Sequence, residues 1–308
     1  MINLNHLYLF YRVAKEEHFT RAAEELFISQ PAVSKQVKEL ERTLGLLLFE
    51  SNTRRRVQLT SSGQILFNYA SRIFALVEDI ERAVDDIKGL RQGRLAIGAS
   101  TTIGTYFLPP YLGQYKEAYP QIEVFLDIEN NEQIQHKVVN SQLELGIVEG
   151  FVEEDELAAL EWQPDELVLI TAPDHPLHRR YQENHSSLTL DEALAYPLIL
   201  REAGSGTRDV LEKALRERAI NWKPAMELGS TEAIKRVVGV GLGISFVSYR
   251  AIELEKQMGR LVQLPLDDFT LNRVLWLVYR SDRRFSPAAQ ALLKILNLNV
   301  PESTLPAL

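Results

Sequence analysis

Cysteine is absent from the 308 residues, which excludes disulfides and thiolate metal sites and fits a reducing compartment. Long apolar runs are absent as well. No stretch approaches the roughly 18 residues that a membrane helix needs, so no membrane partner is expected. The opening MINLNHLYLFYRVAKEEHF has no basic n-region, and Tyr11 and Arg12 break its apolar residues. It does not read as a leader, and a cytoplasmic setting is expected. Neither G-x-x-x-x-G-K-[ST] nor G-x-S-x-G occurs. The GVGLG of 239–243 follows a helical pattern and precedes a strand, the wrong order for a dinucleotide fingerprint, and reads as a helix-ending turn. Histidine is scarce. His175 and His178 stand three apart in a Pro-containing loop with no third ligand nearby, so no metal site is expected. No catalytic constellation can be assembled, and neither an enzyme nor a cofactor is expected.

An overall excess of positive charge is also missing: the formal net charge is −8. It is unevenly spread. Residues 1–58 carry nine Lys or Arg against seven Asp or Glu, a balance of +2, and the remainder carries −10. Only the N-terminal piece is suited to a polyanion. The apolar fraction of 45% and charged fraction of 25% are those of a globular protein, and the length exceeds one ordinary core.

Leu7, Phe10, Tyr11 and Ala14 lie at helical spacing. Thr20 reads as the N-cap of a second helix holding Ala22, Ala23 and Leu26, and Ser29 as the cap of a third, with Pro31 tolerated in its first turn. Val33, Val37, Leu40 and Leu44 form the buried stripe of that third helix, leaving Pro31, Ser34, Lys35, Lys38 and Arg42 on the opposite face. LLLFESNTRRRVQLT reads as strand, turn, strand, with Arg54, Arg55 and Arg56 at the tip. A plain helical hairpin with a solvated charged face would account for two short helices and a tight bend. The Arg-tipped hairpin directly after them favours DNA instead. Gln and Lys side chains can read adenine and guanine edges in a major groove, and arginines suit a minor groove or phosphates.

These residues resemble the winged helix-turn-helix of LysR-type transcriptional regulators. Ala22-Ala23, Ser29-Gln30-Pro31-Ala32-Val33-Ser34, Leu40-Glu41, Leu48-Phe49 and Leu59-Thr60 fall in the family's order. The resemblance implies that Gln30, Pro31, Ser34 and Lys35 face bases. Thr20, Arg21, Ser29, Lys38 and Arg54–Arg56 complete the expected contacts to double-stranded promoter DNA, and which of the three arginines enters a groove stays open. Residues 60–90 carry two adjoining stripes, one through Leu66, Tyr69, Ile73, Leu76 and Ile80, the other through Ala70, Val77 and Val84. So wide a seam exceeds what a two-stranded coiled coil uses. One side can meet a twin helix and the other its own winged domain. The family makes this segment a dimerisation linker, implies a homodimer that assembles to a homotetramer, and makes GLRQG, 89–93, a hinge. RNA polymerase is a further candidate partner.

From Arg94 onward apolar runs alternate with helical patterns: RLAIGAS, IEVFLDI and LELGIVE, then ELVLITAP, PLILR, AMELG and GISFV, and finally RVLWLVYR before a last helix. The alternation predicts parallel sheets covered on both faces, arranged as two lobes. This region resembles the family's effector-binding part, a two-lobed α/β domain built like periplasmic binding proteins. The expected division is 1–59 winged helix-turn-helix, 60–90 linker helix, and 91–308 effector domain, with lobe I over about 91–164 and 268–308 and lobe II over about 165–267. In open α/β sheets ligands bind beyond the carboxyl ends of strands. Ser100, Thr101, Thr102, Asn130, Glu149, Arg201, Ser205, Gly206, Thr207 and Thr231 all fall at strand-to-helix junctions. Hydroxyls and free N–H groups at helix N-termini make anion sites, and glycine lets the backbone come close. Each alone reads equally as an ordinary N-cap; together they predict a small anionic metabolite, carboxylate or phosphate, with Arg201 as counter-charge. Glu149 argues against a multiply charged anion, or for a ligand that also carries an amine. The expected function is a DNA-binding regulator whose promoter binding responds to that effector. A solute-binding protein with an extra helical N-terminus and an enzyme with a small-molecule cleft are the weaker readings.

Overall fold

In the computed structural model, residues 2–50, 57–152, 154–184, 188–282 and 285–299 are described, save for 88–92. The chain forms two compact units, Met1–Ile87 with Asn140–Gln142, and Lys88–Val139 with Leu143–Leu308.

The first unit holds α1 (Leu4–Glu16), α2 (Phe19–Glu25), α3 (Gln30–Leu44) and α4 (Ser61–Ile87). Leu7, Phe10, Val13, Ala22, Ala23, Val33, Val37, Leu40, Leu48 and Ala70 share one core. The expected stripes of α1 and α3 are thus the packed ones. Two local expectations change. Thr20 is not the N-cap of α2; His18 is, and its Nδ1 accepts from the Thr20 N–H at 3.2 Å. The imidazole acceptor two residues earlier serves as well as a hydroxyl. Ser29 does stand at the N-cap of α3, yet its side chain makes no capping bond. The predicted hairpin shows its base: Phe49 and Leu59 bridge antiparallel, and the Glu50 N–H donates to the Gln58 carbonyl at 2.9 Å. Arg54, Arg55 and Arg56, with the rest of 51–56, lie outside the described residues, as do 88–92 of the expected hinge. No helix among the described residues is long and apolar enough to cross a membrane.

The expected linker segment forms a single helix that ends at Ile87. Ala70 sits in the unit's core with Leu66, Phe67 and Phe74 packed against it. Ile65, Tyr69, Ile73, Leu76, Val77 and Ile80 are exposed. The first half of the helix is therefore packed through Leu66, Phe67, Ala70 and Phe74, while most of the Tyr69–Ile80 stripe and Val77 are left uncovered.

The second unit runs β1 (Gly93–Ser100), a π-turn at Ile103–Phe107, α5 (Pro109–Ala118), β2 (Ile122–Glu129), α6 (Asn131–Val139), β3 (Leu145–Glu149) and β4 (Leu157–Thr171). Then come α7 (Pro176–Asn184), α8 (Leu190–Leu194), β5 (Ile199–Arg201), α9 (Gly206–Glu217), β6 (Met226–Leu228), α10 (Thr231–Gly239) and β7 (Ser245–Ser248). A 3-10 turn at Tyr249–Ile252, α11 (Glu253–Gln257), β8 (Val262–Leu264), β9 (Leu271–Arg280) and α12 (Pro287–Ile295) complete it.

Two lobes are present, but not as two parallel sheets. One sheet of seven strands, ordered β2-β1-β3-β9-β4-β7 with β8 also on β4, runs through both, beside a small parallel β5-β6 pair. β1 pairs parallel with β2 and β3, whereas β9 and β4 are antiparallel along their length. The correction has a local cause. Pro164 reads as a break between elements, yet β4 continues across it, because the register shifts between Glu161 and Gln163 and the proline is exposed. The long β4 and β9 carry the chain between lobes. Leu275 and Leu277 of β9 pack with Leu95, Ile97, Tyr115 and Leu292, while Leu271, with Leu167 and Leu169 of β4, packs with Leu200, Leu211 and Phe246.

Candidate functional site

In the N-terminal unit, α3 projects Gln30, Pro31, Ser34, Lys35 and Lys38 around a shallow hollow that also includes Glu39. Glu39 is engaged by Arg42 at 2.5 Å. Lys35, Lys38 and Arg21 make no ion pair among the described residues, and Arg21, Gln30, Pro31, Lys35 and Lys38 are exposed. Uncommitted cations on one face of a tightly packed helix are what a polyanion needs. The frame behind them is built from the same motif. Glu41 accepts from the Leu48 N–H at 2.8 Å, which ties the hairpin to α3. Thr60 donates its hydroxyl to the Leu47 carbonyl at 2.7 Å and accepts from the Gly63 N–H at 3.0 Å, capping α4. A Cβ on Gly63 would stand 2.0 Å from the Leu48 carbonyl oxygen, so only glycine fits. Glu41, Thr60 and Gly63 thus hold the base of the hairpin against α3 and the start of α4.

In the C-terminal unit the residues picked from sequence converge between the lobes. Ser100, Thr102, Glu149, Arg201, Ser205, Thr207 and Thr231 are buried; Thr101 and Asn130 are half-buried. Glu149, closing β3, accepts from the Ser100 hydroxyl and from Thr207 at 3.3 Å, and its backbone N–H donates to Asn131 at 3.2 Å. The Asn130 amide reaches the Ala203 carbonyl at 3.5 Å, and the Glu132 N–H donates to the Gly204 carbonyl at 3.2 Å. Gly206 opens α9, and a Cβ there would meet the Glu149 carbonyl oxygen at 2.3 Å; glycine is what allows the two backbones to touch. Ser205, its N-cap, has a buried hydroxyl with no partner among the described residues.

Arg201 points inward, as expected, but it is not a free cation. Its Nε and Nη2 donate to Glu202 at 2.7 Å each, Nη1 donates to Thr231 at 3.2 Å and Nη2 to Thr101 at 3.3 Å. Three further groups were not singled out from sequence. Arg273 of β9 donates to Asp165 of β4 and Thr207 of α9, and lies 3.3 Å from Glu149. Lys235, almost fully buried, is held by Glu232 at 2.7 Å and Glu255 at 2.8 Å. Tyr106, from the π-turn, donates to Glu232 across the lobes. Burial, and next the Glu232 carboxylate, push the Tyr106 phenol well up. For Glu232, burial opposes ionisation, but the Lys235 and Tyr106 hydrogen bonds leave its carboxyl below the usual range. A signal was present for Arg273, a charge opening the apolar run Val274–Val278, which burial makes costly unless it meets a partner; Asp165, between Pro164 and Glu166, carried none. Their meeting depends on the β4–β9 register.

His175 is buried edge-on against Tyr196, its Nδ1 accepting from the Leu177 N–H at 3.2 Å, while His178 bonds the Pro173 carbonyl. No group of side chains suited to a metal ion occurs among the described residues.

A helix-turn-helix with an uncommitted basic face, in one chain with a two-lobed α/β domain whose polar groups converge between the lobes, defines a ligand-responsive DNA-binding regulator. Comparison with known proteins agrees. Residues 4–64 match the bacterial regulatory helix-turn-helix protein, lysR family, and residues 88–299 match the LysR substrate binding domain. The chain is 37% identical over 294 residues to the probable RuBisCO transcriptional regulator of Trichormus variabilis (strain ATCC 29413 / PCC 7937), covering 94% of this chain and 86% of that one. The CcmR regulatory domain of Synechocystis PCC6803, solved in complex with 2-PG, is 33% identical, with a TM-score of 0.61 over 67% of this chain and 96% of that one. A full-length OxyR variant from Pseudomonas aeruginosa, 24% identical, shares the fold with a TM-score of 0.73 over 97% and 95% of the two chains. The chain belongs to the LysR family: it is a DNA-binding transcriptional regulator, not an enzyme.

Proposed function

We propose that this regulator senses a small anionic metabolite between the lobes of residues 91–308 and passes the signal to winged domains of residues 1–59 through the 60–90 helix. The observation that carries the reading is the unpartnered, buried hydroxyl of Ser205 at the N-terminus of α9, in the same unit as the buried Arg201 guanidinium at the end of β5. A helix N-terminus, hydroxyls and a guanidinium together suit a carboxylate or phosphate. Ser100, Thr101, Thr102, Asn130, Glu149, Gly206, Thr207 and Thr231 complete the proposed lining. The 2-PG bound by the Synechocystis relative supports an anion of this kind. Glu149 is already compensated by Arg273 at 3.3 Å and by the Ser100 and Thr207 hydroxyls, so its charge does not bar an anion from the cleft.

At the DNA, Gln30, Pro31, Ser34 and Lys35 would face bases, and Thr20, Arg21, Ser29, Lys38 and one of Arg54–Arg56 would hold backbone or minor groove. Paired chains would read half-sites of a dyad-symmetric operator, first as a dimer through the exposed face of α4 and then as a homotetramer. An effector that binds one quaternary arrangement better than the other shifts the population between them, and with it the bend in promoter DNA that RNA polymerase meets. The setting is the cytoplasm.

Titration calorimetry of the full chain with 2-PG tests the pocket. Wild type should bind, and Thr102→Val with Ser205→Ala together should weaken binding at least tenfold, on the order of one lost charged hydrogen bond. Unchanged affinity in the double variant would sink the assignment.

A further inference from the structure

We propose that Glu202 is a built-in occupant of the effector's anion position, which the effector must displace to reach Arg201. The inference rests on the reading of Arg201 as the effector's counter-charge.

The geometry is asymmetric. Arg201 is fixed: it ends β5, its side chain is 2% exposed, Thr231 accepts from its Nη1 at 3.2 Å, and Thr101 accepts from its Nη2 at 3.3 Å. Glu202 grips the Nε/Nη2 edge with both carboxylate oxygens at 2.7 Å, yet its side chain is 25% exposed. Adjacent residues of a strand point to opposite faces, so strand geometry alone would separate these two side chains. Glu202 reaches back only because it lies just past the strand end. Its backbone is fastened there, N–H to the Leu228 carbonyl at 3.2 Å and carbonyl from the Ser205 N–H at 3.3 Å. The carboxylate can therefore rotate out to water while the backbone and the arginine stay in place.

The Nε/Nη2 edge is the guanidinium fork that matches a carboxylate or phosphate through two parallel hydrogen bonds. Only one anion can use it. Glu202 spares the buried Arg201 from standing unpaired, which would be strongly unfavourable. It also screens ligands: a neutral or cationic molecule cannot replace it, so it makes the site selective for a two-oxygen anion. Displacement lowers apparent affinity by the fraction of molecules in which Arg201 is free, and removing the competing charge lifts that handicap.

The test uses full-length protein, titrated calorimetrically with 2-PG and with inorganic phosphate, as wild type, Glu202→Gln and Arg201→Gln. Glu202→Gln should bind both anions roughly tenfold more tightly, the scale of one charged hydrogen bond. Its melting temperature should be lower than wild type without anion and recover with either one. Arg201→Gln should lose binding. Equal or weaker binding by Glu202→Gln, with Arg201→Gln still defective, overturns the inference alone and leaves Glu202 a residue that orients Arg201. Wild-type affinity in Arg201→Gln overturns the counter-charge reading and the inference with it.

Discussion

Arg273 and Asp165 face each other across the β4–β9 register, Nε to Oδ2 at 2.7 Å, both side chains almost wholly buried. The same guanidinium meets Glu149 at 3.3 Å and donates to Thr207 at 2.8 Å, while Ser248 donates to the second oxygen of Asp165. One arginine on a crossover strand thus ties the end of β3, the start of α9 and the middle of β4. Removing it leaves two buried carboxylates without their cation. Arg273→Met should destabilise the C-terminal unit by about 3–5 kcal/mol. Tryptophan fluorescence in urea isolates this unit, since Trp162, Trp222 and Trp276 all lie within it. Adding Asp165→Asn to Arg273→Met should cost less than the sum of the two single changes.

The reading face of α3 gives a charge-counting test. Lys38→Ala should weaken promoter binding and lower the slope of log affinity against log salt by about 1, while Lys35→Ala should weaken binding and relax its sequence preference. Fluorescence anisotropy across a salt series measures the first, and across promoter variants the second. A Lys38→Ala slope equal to wild type would mean that Lys38 does not meet a phosphate.

Gly63 tests the frame behind that helix. Gly63→Ala puts a methyl group 2.0 Å from a backbone carbonyl oxygen, which cannot rotate aside as a side chain could. The N-terminal unit should lose about 1–3 kcal/mol, in line with other overpacked sites. Hydrogen exchange of α3 amides should accelerate accordingly, while tryptophan fluorescence stays as in wild type.

The uncovered face of α4 predicts an assembly defect without a folding defect. Tyr69 and Leu76 are 60% and 62% exposed. Tyr69→Glu with Leu76→Glu should shift the protein toward monomer in light scattering after gel filtration, with helical content retained. An unchanged mass would remove α4 from the proposed interface.

His175 sets a pH dependence. Burial holds its imidazole pKa below the ordinary 6.5, and the neutral Nδ1 accepts the Leu177 N–H. A folded-state pKa below the unfolded one means that the unfolded chain binds more protons as pH falls. Stability from this group is therefore intact above about pH 6.5 and declines as pH drops through the unfolded value. Melting temperatures from pH 7.5 to 5.5 should fall less in His175→Gln than in wild type.

The sequence by itself determined the parts that depend on neighbours along the chain. The helical periods of α1, α3 and α4, the motif from Ala22 to Thr60, and the hydroxyls and Arg201 at strand-to-helix junctions could all be read from local pattern. Only the tertiary structure decided which residues far apart in the chain come together. Pro164 looked like a break until the β4 register shift put it on an exposed position. Arg273 and Asp165, 108 positions apart, meet only because the β4–β9 register sets them opposite each other. Arg201 was rightly placed as an inward cation, but its partner could not be read from strand alternation, which sends consecutive side chains to opposite faces. Glu202 escapes that rule because β5 stops one residue earlier, and where a strand stops is set by what it pairs with.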